Sequence, residues 1–326
     1  MDRRATPAAG SPPRNRIGNA LLYAVCADRI AAPLLGNRLP STAQIDAAMH
    51  PRPSHLPAGS HLGEHLLLLA EHLAQRAGEL DGDILARTLA RHPPPAGATG
   101  GAGTAKVLSL VAQGTPWWQA AATVHDGQGS HGSTAAVRSV AVGLLPHQGL
   151  GAIAETARRA AVITHTHPWA HDAAAVIACA VALASHGLPG GAISTGRFLA
   201  IITSHARDPG FRHHLSAVRT LVRHRAGPAE TIGTLGGGSV VRTVPAALTA
   251  FLRHPADPLA ALRFALTLGG HTCAIAGITA ALAGARCPES PPPSAWRLHT
   301  DSLRVHAAAT ALAELKPVNP QAWRSL

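Results

Sequence analysis

Apolar residues recur every three to four positions along nearly the whole of this chain, and that period constrains the fold more than any other feature. Between Arg16 and Leu35, the residues Ile17, Leu21, Ala24, Val25 and Asp28 fall at i, i+3 and i+4 spacings, which places them on one helical face. After Ser60, a good N-cap residue, Leu62, Leu66, Leu69, Ala70 and Leu73 repeat the pattern. Further helices are expected at 104–113, 116–124, 133–145, 152–164, 168–186, 193–205, 211–224, 241–253, 259–268, 272–285 and 302–315. No convincing alternating run is present. Only 3% of the residues are aromatic while 46% are hydrophobic, so the core must be filled by Ala, Leu, Val and Ile. Strands favour β-branched and aromatic residues. The expectation is an all-α protein, a compact many-helix orthogonal bundle.

The 326 residues suit one large domain. Residues 1–14, rich in Pro, Arg and Ala, read as a disordered leader, and 15–326 as a single domain. The prolines in 36–59 suggest a long loop, and ARHPPPAGATGGAG at 90–103 a linker or surface loop. The apolar run Ala173–Ser185 is too short to span a bilayer, and the polar, Pro-rich start lacks a signal-peptide build. Cys26, Cys179, Cys273 and Cys287 form no CxxC pair. These features predict a cytoplasmic protein with reduced thiols and no membrane contact. The net charge of +11 favours anionic partners. Yet the bases are scattered, without a basic run, zinc-finger spacing or RNP motif, so nucleic acid is not an expected partner.

Several segments, in order, resemble the ADP-ribosylglycohydrolase family, the group that includes dinitrogenase reductase-activating glycohydrolases. RIGNALLYAVCADRIAAPLLG (16–36) resembles the family's opening helix with its Gly-Asp-Ala-x-Gly core, and Asp28 matches the Asp. GSHLGEHLLLLAEHL (59–73) resembles its Thr-Asp-Asp-Thr helix start. GSHGSTAAVRSVAVGLL (129–145) is similar to its Gly-Asn-Gly-Ala-Ala-Met-Arg segment through Gly132, Ala135, Ala136 and Arg138. THTHPWAHDAA (164–174) resembles its Thr-His-x-x-Pro start. LGGHTCAIAGITAALAGAR (268–286) resembles Gly-Gly-Asp-Thr-Asp-Thr followed by an Ala-rich helix. Trp296 also stands where the family often has a Trp.

The resemblance implies an all-α fold and a cleft in which two divalent cations, held by aspartates on two helix starts, act on an ADP-ribosyl bond. Here the Thr-Asp-Asp positions hold Ser60, His61 and Leu62, and the Asp-Thr-Asp-Thr positions hold His271, Thr272, Cys273 and Ala274. Every matched metal aspartate is gone. Magnesium requires hard oxygen ligands, so neither a magnesium cofactor nor the family's hydrolysis is expected, and the chain reads as a catalytically inactive relative, the alternative being a divergent hydrolase with a zinc-like or metal-free site. Asp28, on a largely apolar helix, is expected to make local hydrogen bonds. His61, His271 and Cys273 form an alternative set for zinc, a reading set against simple drift in a chain with 21 histidines. Two small-residue loops are candidate anion sites: Gly129, Ser130, Gly132 and Ser133 before one helix, and Gly237, Gly238 and Ser239 before another. The partner implied is ADP-ribose or a related nucleotide, or else a protein on a vestigial cleft. Trp117, Trp118 and the His165, His167 and His171 cluster read as packing and capping residues.

Overall fold

The computed structural model describes residues 14–37, 39–51, 59–94, 101–146, 149–186, 193–236, 239–297 and 300–315, and no strand occurs among them. α1 (Arg14–Ala31) gives way to a 3-10 turn, Ala32–Leu34, at Pro33, which has no N–H to continue the ladder. α2 (Thr42–Met49) is closed by a reciprocal capping box between Ser41 and Gln44. α3 (His61–Gln75) begins at Ser60, whose Oγ accepts from the Leu62 N–H at 3.2 Å. Asp81 caps α4 (Gly82–Ala90) in the same way. Next come α5 (Ala102–Ala112), α6 (Trp117–Ala122), α7 (Thr134–Arg138), α8 (Val140–Gly143), α9 (Leu150–Val162) and α10 (Pro168–His186). The chain continues through α11 (Thr195–Ser204), α12 (Pro209–Arg223), α13 (Pro228–Leu235), α14 (Val240–Arg253) and α15 (Pro258–Thr267). It ends with α16 (Thr272–Arg286), α17 (Ser294–Arg297) and α18 (Ser302–Ala313).

The all-α expectation holds, with local corrections. The stretch read as one loop over 36–59 contains α2, whose signal, Ser41 followed three residues later by Gln44, was in the sequence. The short helices α4, α13 and α17 were also unread. The helix expected over 133–145 breaks at Ser139 into α7 and α8, where the Ser139 Oγ donates to the Ala136 carbonyl at 2.7 Å and competes with the backbone ladder. Arg14, assigned to the leader, opens α1, and residues 1–13 lie outside the described residues.

α10 also corrects the membrane reading. The helix forms over 168–186 as expected, but the test by the 13-residue apolar run within it was too narrow: taken whole, the 19-residue helix is long and apolar enough to cross a membrane. However, 78% of its apolar window is buried inside the fold. α10 packs against α7, α8, α9, α14 and α16, which accounts for its apolar character all round.

α1 and α16 pack along most of their length, with α16 presenting small residues to the α1 backbone. A Cβ on Gly284 would lie 2.7 Å from the Asn19 carbonyl oxygen and 2.8 Å from the Tyr23 ring. Only glycine permits this approach, and the pairing sets Asp28 of α1 beside Cys273 of α16. On the opposite flank, the Arg304 guanidinium of α18 grips both Glu64 and Glu71 of α3 at 2.5–2.9 Å, a two-fork arrangement that orients α3 toward the cleft.

Candidate functional site

The starts of α3, α5 and α16, the turn entering α7 and the N-cap of α14 open onto one cleft of about 440 Å³. Ser60, His61, Leu62, His271, Cys273 and Ala274 all line it, so both substituted motifs meet as the sequence led us to expect. Ser130, Gly132, Ser133 and Ser239 line it as well. Gly129 lies against Thr166 and His167 rather than in the wall. Gly237 and Gly238 lie outside the described residues. Sequence reasoning did not place Gly101, His125, His131, Thr134 or His165 in this wall. His131 and Thr134 flank matched motif positions and were within reach of the sequence. His125 and Gly101 sit in turns, and nothing in their spacing indicated the cleft.

The wall formed by α1, α3 and α16 is organised around Asp28. The Ser60 hydroxyl donates to Asp28 Oδ1 at 2.5 Å and the Gly63 N–H donates to Oδ2 at 3.2 Å. Asp28 is therefore hydrogen-bonded as expected, but burial still pushes its carboxyl up to about 7 against these stabilising contacts. The Cys273 thiol donates to the Asp28 main-chain carbonyl at 3.6 Å, and burial, then the neighbouring carboxylate, push its pKa far up. A thiol so held is a poor nucleophile.

The histidines of this wall differ from one another. His61 Nε2 pairs with Thr134 Oγ1 at 3.3 Å, and its ring meets His65 edge-on at 5.3 Å. Burial, then the Arg138 charge, lower His61 to about 4. His65 Nε2 donates to the His92 carbonyl at 2.8 Å, and burial is the main reason its pKa falls to about 3. Gly101, with φ +82°, caps α5 directly over His61, and a Cβ there would stand 2.6 Å from the ring. His271 is exposed at the cleft edge, where partial desolvation, then Arg242, lower its pKa. His61, His271 and Cys273 thus share a cleft, but His61 turns to Thr134 and Cys273 to the Asp28 carbonyl. Among the described residues, no group of three His, Cys, Asp or Glu side chains is placed to hold a metal ion.

The other wall is polar and braced from within. Ser130 Oγ accepts from the Gly132 N–H at 3.2 Å. The Ser239 hydroxyl and the Val240 N–H both donate to the His131 carbonyl, tying the start of α14 to this loop. Ser239 holds φ +62°, rare for a residue with a side chain. Behind the loop, Arg138 is fully buried and donates to the Ala160 carbonyl at 2.7 Å and to Thr164 Oγ1 at 3.1 Å. Burial lowers it to about 10, so it stays charged. Trp117 is half-buried and its indole N–H donates to Asp83 at 2.7 Å, while Trp118 is 54% exposed and so is not a core residue.

The ADP-ribosylglycohydrolase family profile matches residues 10–322, nearly the entire chain. The chain belongs to the ADP-ribosylglycohydrolase family. ADP-ribosylhydrolase ARH3 of Gallus gallus is 27% identical over 221 residues, 58% of this chain and 59% of that protein. The match thus spans about three-fifths of that relative. A solved structure described as an ADP-ribosylglycohydrolase-related protein complex superposes with a TM-score of 0.68 at 24% identity, covering 93% of this chain and 98% of that one. At that identity the likeness shows the fold alone.

A magnesium pair of the kind the family resemblance implies would need hard oxygen donors from the side chains that line this cleft. Leu62 and Ala274 have no donor atom, Cys273 and the histidines are not hard-oxygen ligands, and Asp28 is engaged by Ser60 and Gly63. This donor set does not fit magnesium.

Proposed function

We propose that this family member holds ADP-ribose or a related nucleotide in its cleft and lacks the family's magnesium-dependent hydrolysis. The observation that carries the reading is the contrast between the two walls. The wall of Ser130, Gly132, Ser133, His165 and Ser239 remains polar, and the cleft is open at about 440 Å³, within the range of small-molecule sites. The wall of Ser60–Leu62 and His271–Ala274 contributes no free carboxylate.

Hydrolysis of an ADP-ribosyl bond needs a water activated for attack at the anomeric carbon. Without the ions, this work would fall to a general base. The candidates are weak: His61, near 4, is a poor proton acceptor at neutral pH, and Asp28 is already bonded to Ser60 and Gly63. Calorimetry with ADP-ribose, with and without magnesium, tests binding, and release of ADP-ribose from modified arginine or serine peptides tests turnover. We expect binding indifferent to magnesium and no release. Release at an enzymatic rate that EDTA abolishes would overturn the reading. Absence of binding would leave a scaffold for a protein partner.

A further inference from the structure

We propose that buried Arg138, acting through Thr164, is a positioning residue that fixes which nitrogen of His165 faces the cleft as a hydrogen-bond donor. His165 is 1% exposed, yet it lines the cleft, and its Nε2 is a buried polar atom with no partner among the described residues.

A guanidinium can only donate. Arg138 Nη2 spends its two hydrogens on the Ala160 carbonyl at 2.7 Å and Thr164 Oγ1 at 3.1 Å. Thr164 Oγ1 is therefore an acceptor toward Arg138, and among the described residues its own hydrogen has one acceptor, His165 Nδ1 at 2.8 Å. If Thr164 donates to Nδ1, that nitrogen carries the lone pair and the ring proton sits on Nε2. The opposite tautomer would give Thr164 Oγ1 two incoming donors and leave its hydroxyl proton without a partner; among the described residues Nε2 lacks a protein partner in either tautomer. The relay therefore selects Nε2–H. Burial and the Arg138 charge both oppose a second proton on the ring, so the imidazole stays neutral and the donor does not titrate away.

The donor lies just behind the cleft lining, where residue 132 has no side chain. A Cβ built on Gly132 would stand 3.1 Å from His165 Nε2 and 3.3 Å from Ser130 Oγ. The N–H thus faces a gap that glycine keeps open, beside a serine hydroxyl. A buried N–H without an acceptor is costly, and an oxygen of a bound ligand is the partner that would complete it. The ligand half of this inference rests on the proposed binding of ADP-ribose; the tautomer half does not.

Long-range proton–nitrogen NMR correlations of the His165 ring in the parent protein read the tautomer without any ligand. We expect a protonated Nε2 and a bare Nδ1 that persist across the pH range of the folded protein. A protonated Nδ1, or an ordinary titration near neutral pH, would overturn the proposal. Thr164→Ser should keep both tautomer and ADP-ribose affinity. Thr164→Val should release the tautomer and weaken ADP-ribose by roughly tenfold, the loss of one well-made hydrogen bond. Gly132→Ala should weaken ADP-ribose similarly while leaving the tautomer as in the parent. If Thr164→Val leaves the tautomer unchanged, the relay is wrong whatever the affinity. If the tautomer responds as expected and no variant binds ADP-ribose, the ligand assignment fails and the relay stands.

Discussion

Ser60 Oγ lies 2.5 Å from Asp28 Oδ1 and also accepts from the Leu62 N–H, so one hydroxyl both caps α3 and satisfies a buried carboxyl on α1. The Gly63 N–H completes the arrangement at 3.2 Å. A carboxylate at a helix N-terminus is favourable, but here it is fully enclosed. Burial outweighs the hydrogen bonds and lifts the carboxyl to about 7.

That shift makes stability depend on pH. An unfolded Asp titrates near 3.9, whereas folded Asp28 titrates near 7. The folded protein holds this proton more tightly. Its contribution is therefore complete below about pH 4 and is lost progressively as pH rises through about 7. Asp28→Asn keeps an acceptor for Gly63 and removes the titration. Denaturant unfolding at pH 5 and pH 8 should show the variant gaining on the parent at the higher pH, by on the order of 2–4 kcal/mol at most. Parallel pH profiles for the two proteins would show that Asp28 is not the titrating group.

The legible parts of this fold were those with local causes. Ser60 was readable as an N-cap because capping chemistry is set by neighbouring residues, and the two substituted motifs were readable as facing partners through the family pattern. α2 was hidden because prolines at 40, 51 and 53 dominate its surroundings, although Ser41 and Gln44 carried the capping signal. The site was less legible. His165 reads in sequence as one member of a histidine cluster beside Pro168. Its place in the cleft wall depends on Arg138 and Gly132, brought to it by the packing of α7 against α10. The engagement of Cys273 with the Asp28 carbonyl likewise needs the α1–α16 contact, 245 residues apart in sequence.

That helix contact is itself testable. Gly284→Ala puts a methyl group 2.7 Å from the Asn19 carbonyl, a backbone atom that cannot rotate away. The helices must separate, at a cost of about 1–3 kcal/mol. Gly151→Ala in α9 is the control. No described residue lies within 4 Å of its added Cβ, so it should be neutral or stabilising by up to about 1 kcal/mol. Equal effects of the two substitutions in urea unfolding would mean that α1 and α16 do not pack as described.

Metal content tests the cluster of His61, His271 and Cys273. With Cys273 bonded to a carbonyl and His61 to Thr134, the three do not present their donors to a common point. Protein purified without a His-tag should carry zinc well below one equivalent, and Cys273→Ser should not change that content. One equivalent of zinc that disappears in Cys273→Ser would establish a thiolate site and a rearrangement of this wall on metal binding.

The same wall offers a reverse experiment. If only side chains separate this cleft from its metal-binding relatives, the backbone at the starts of α3 and α16 should still be placed for ligation. Restoring carboxylates as His61→Asp, Leu62→Asp, His271→Asp and Cys273→Asp would set four acids in one cleft, the one at 273 beside Asp28, which is already hard to ionise. Without metal their mutual repulsion should lower the melting temperature, and part of the charge should be relieved by raised pKa values. Magnesium would remove the repulsion and bind only the folded form. At a concentration one hundred times its dissociation constant it would return about 2.7 kcal/mol. The expected result is therefore a parent whose melting temperature ignores magnesium and a quadruple variant whose melting temperature rises with it. A variant that folds, shows native helicity and remains indifferent to magnesium would mean that the starts of α3 and α16 have moved apart along with the loss of their acids.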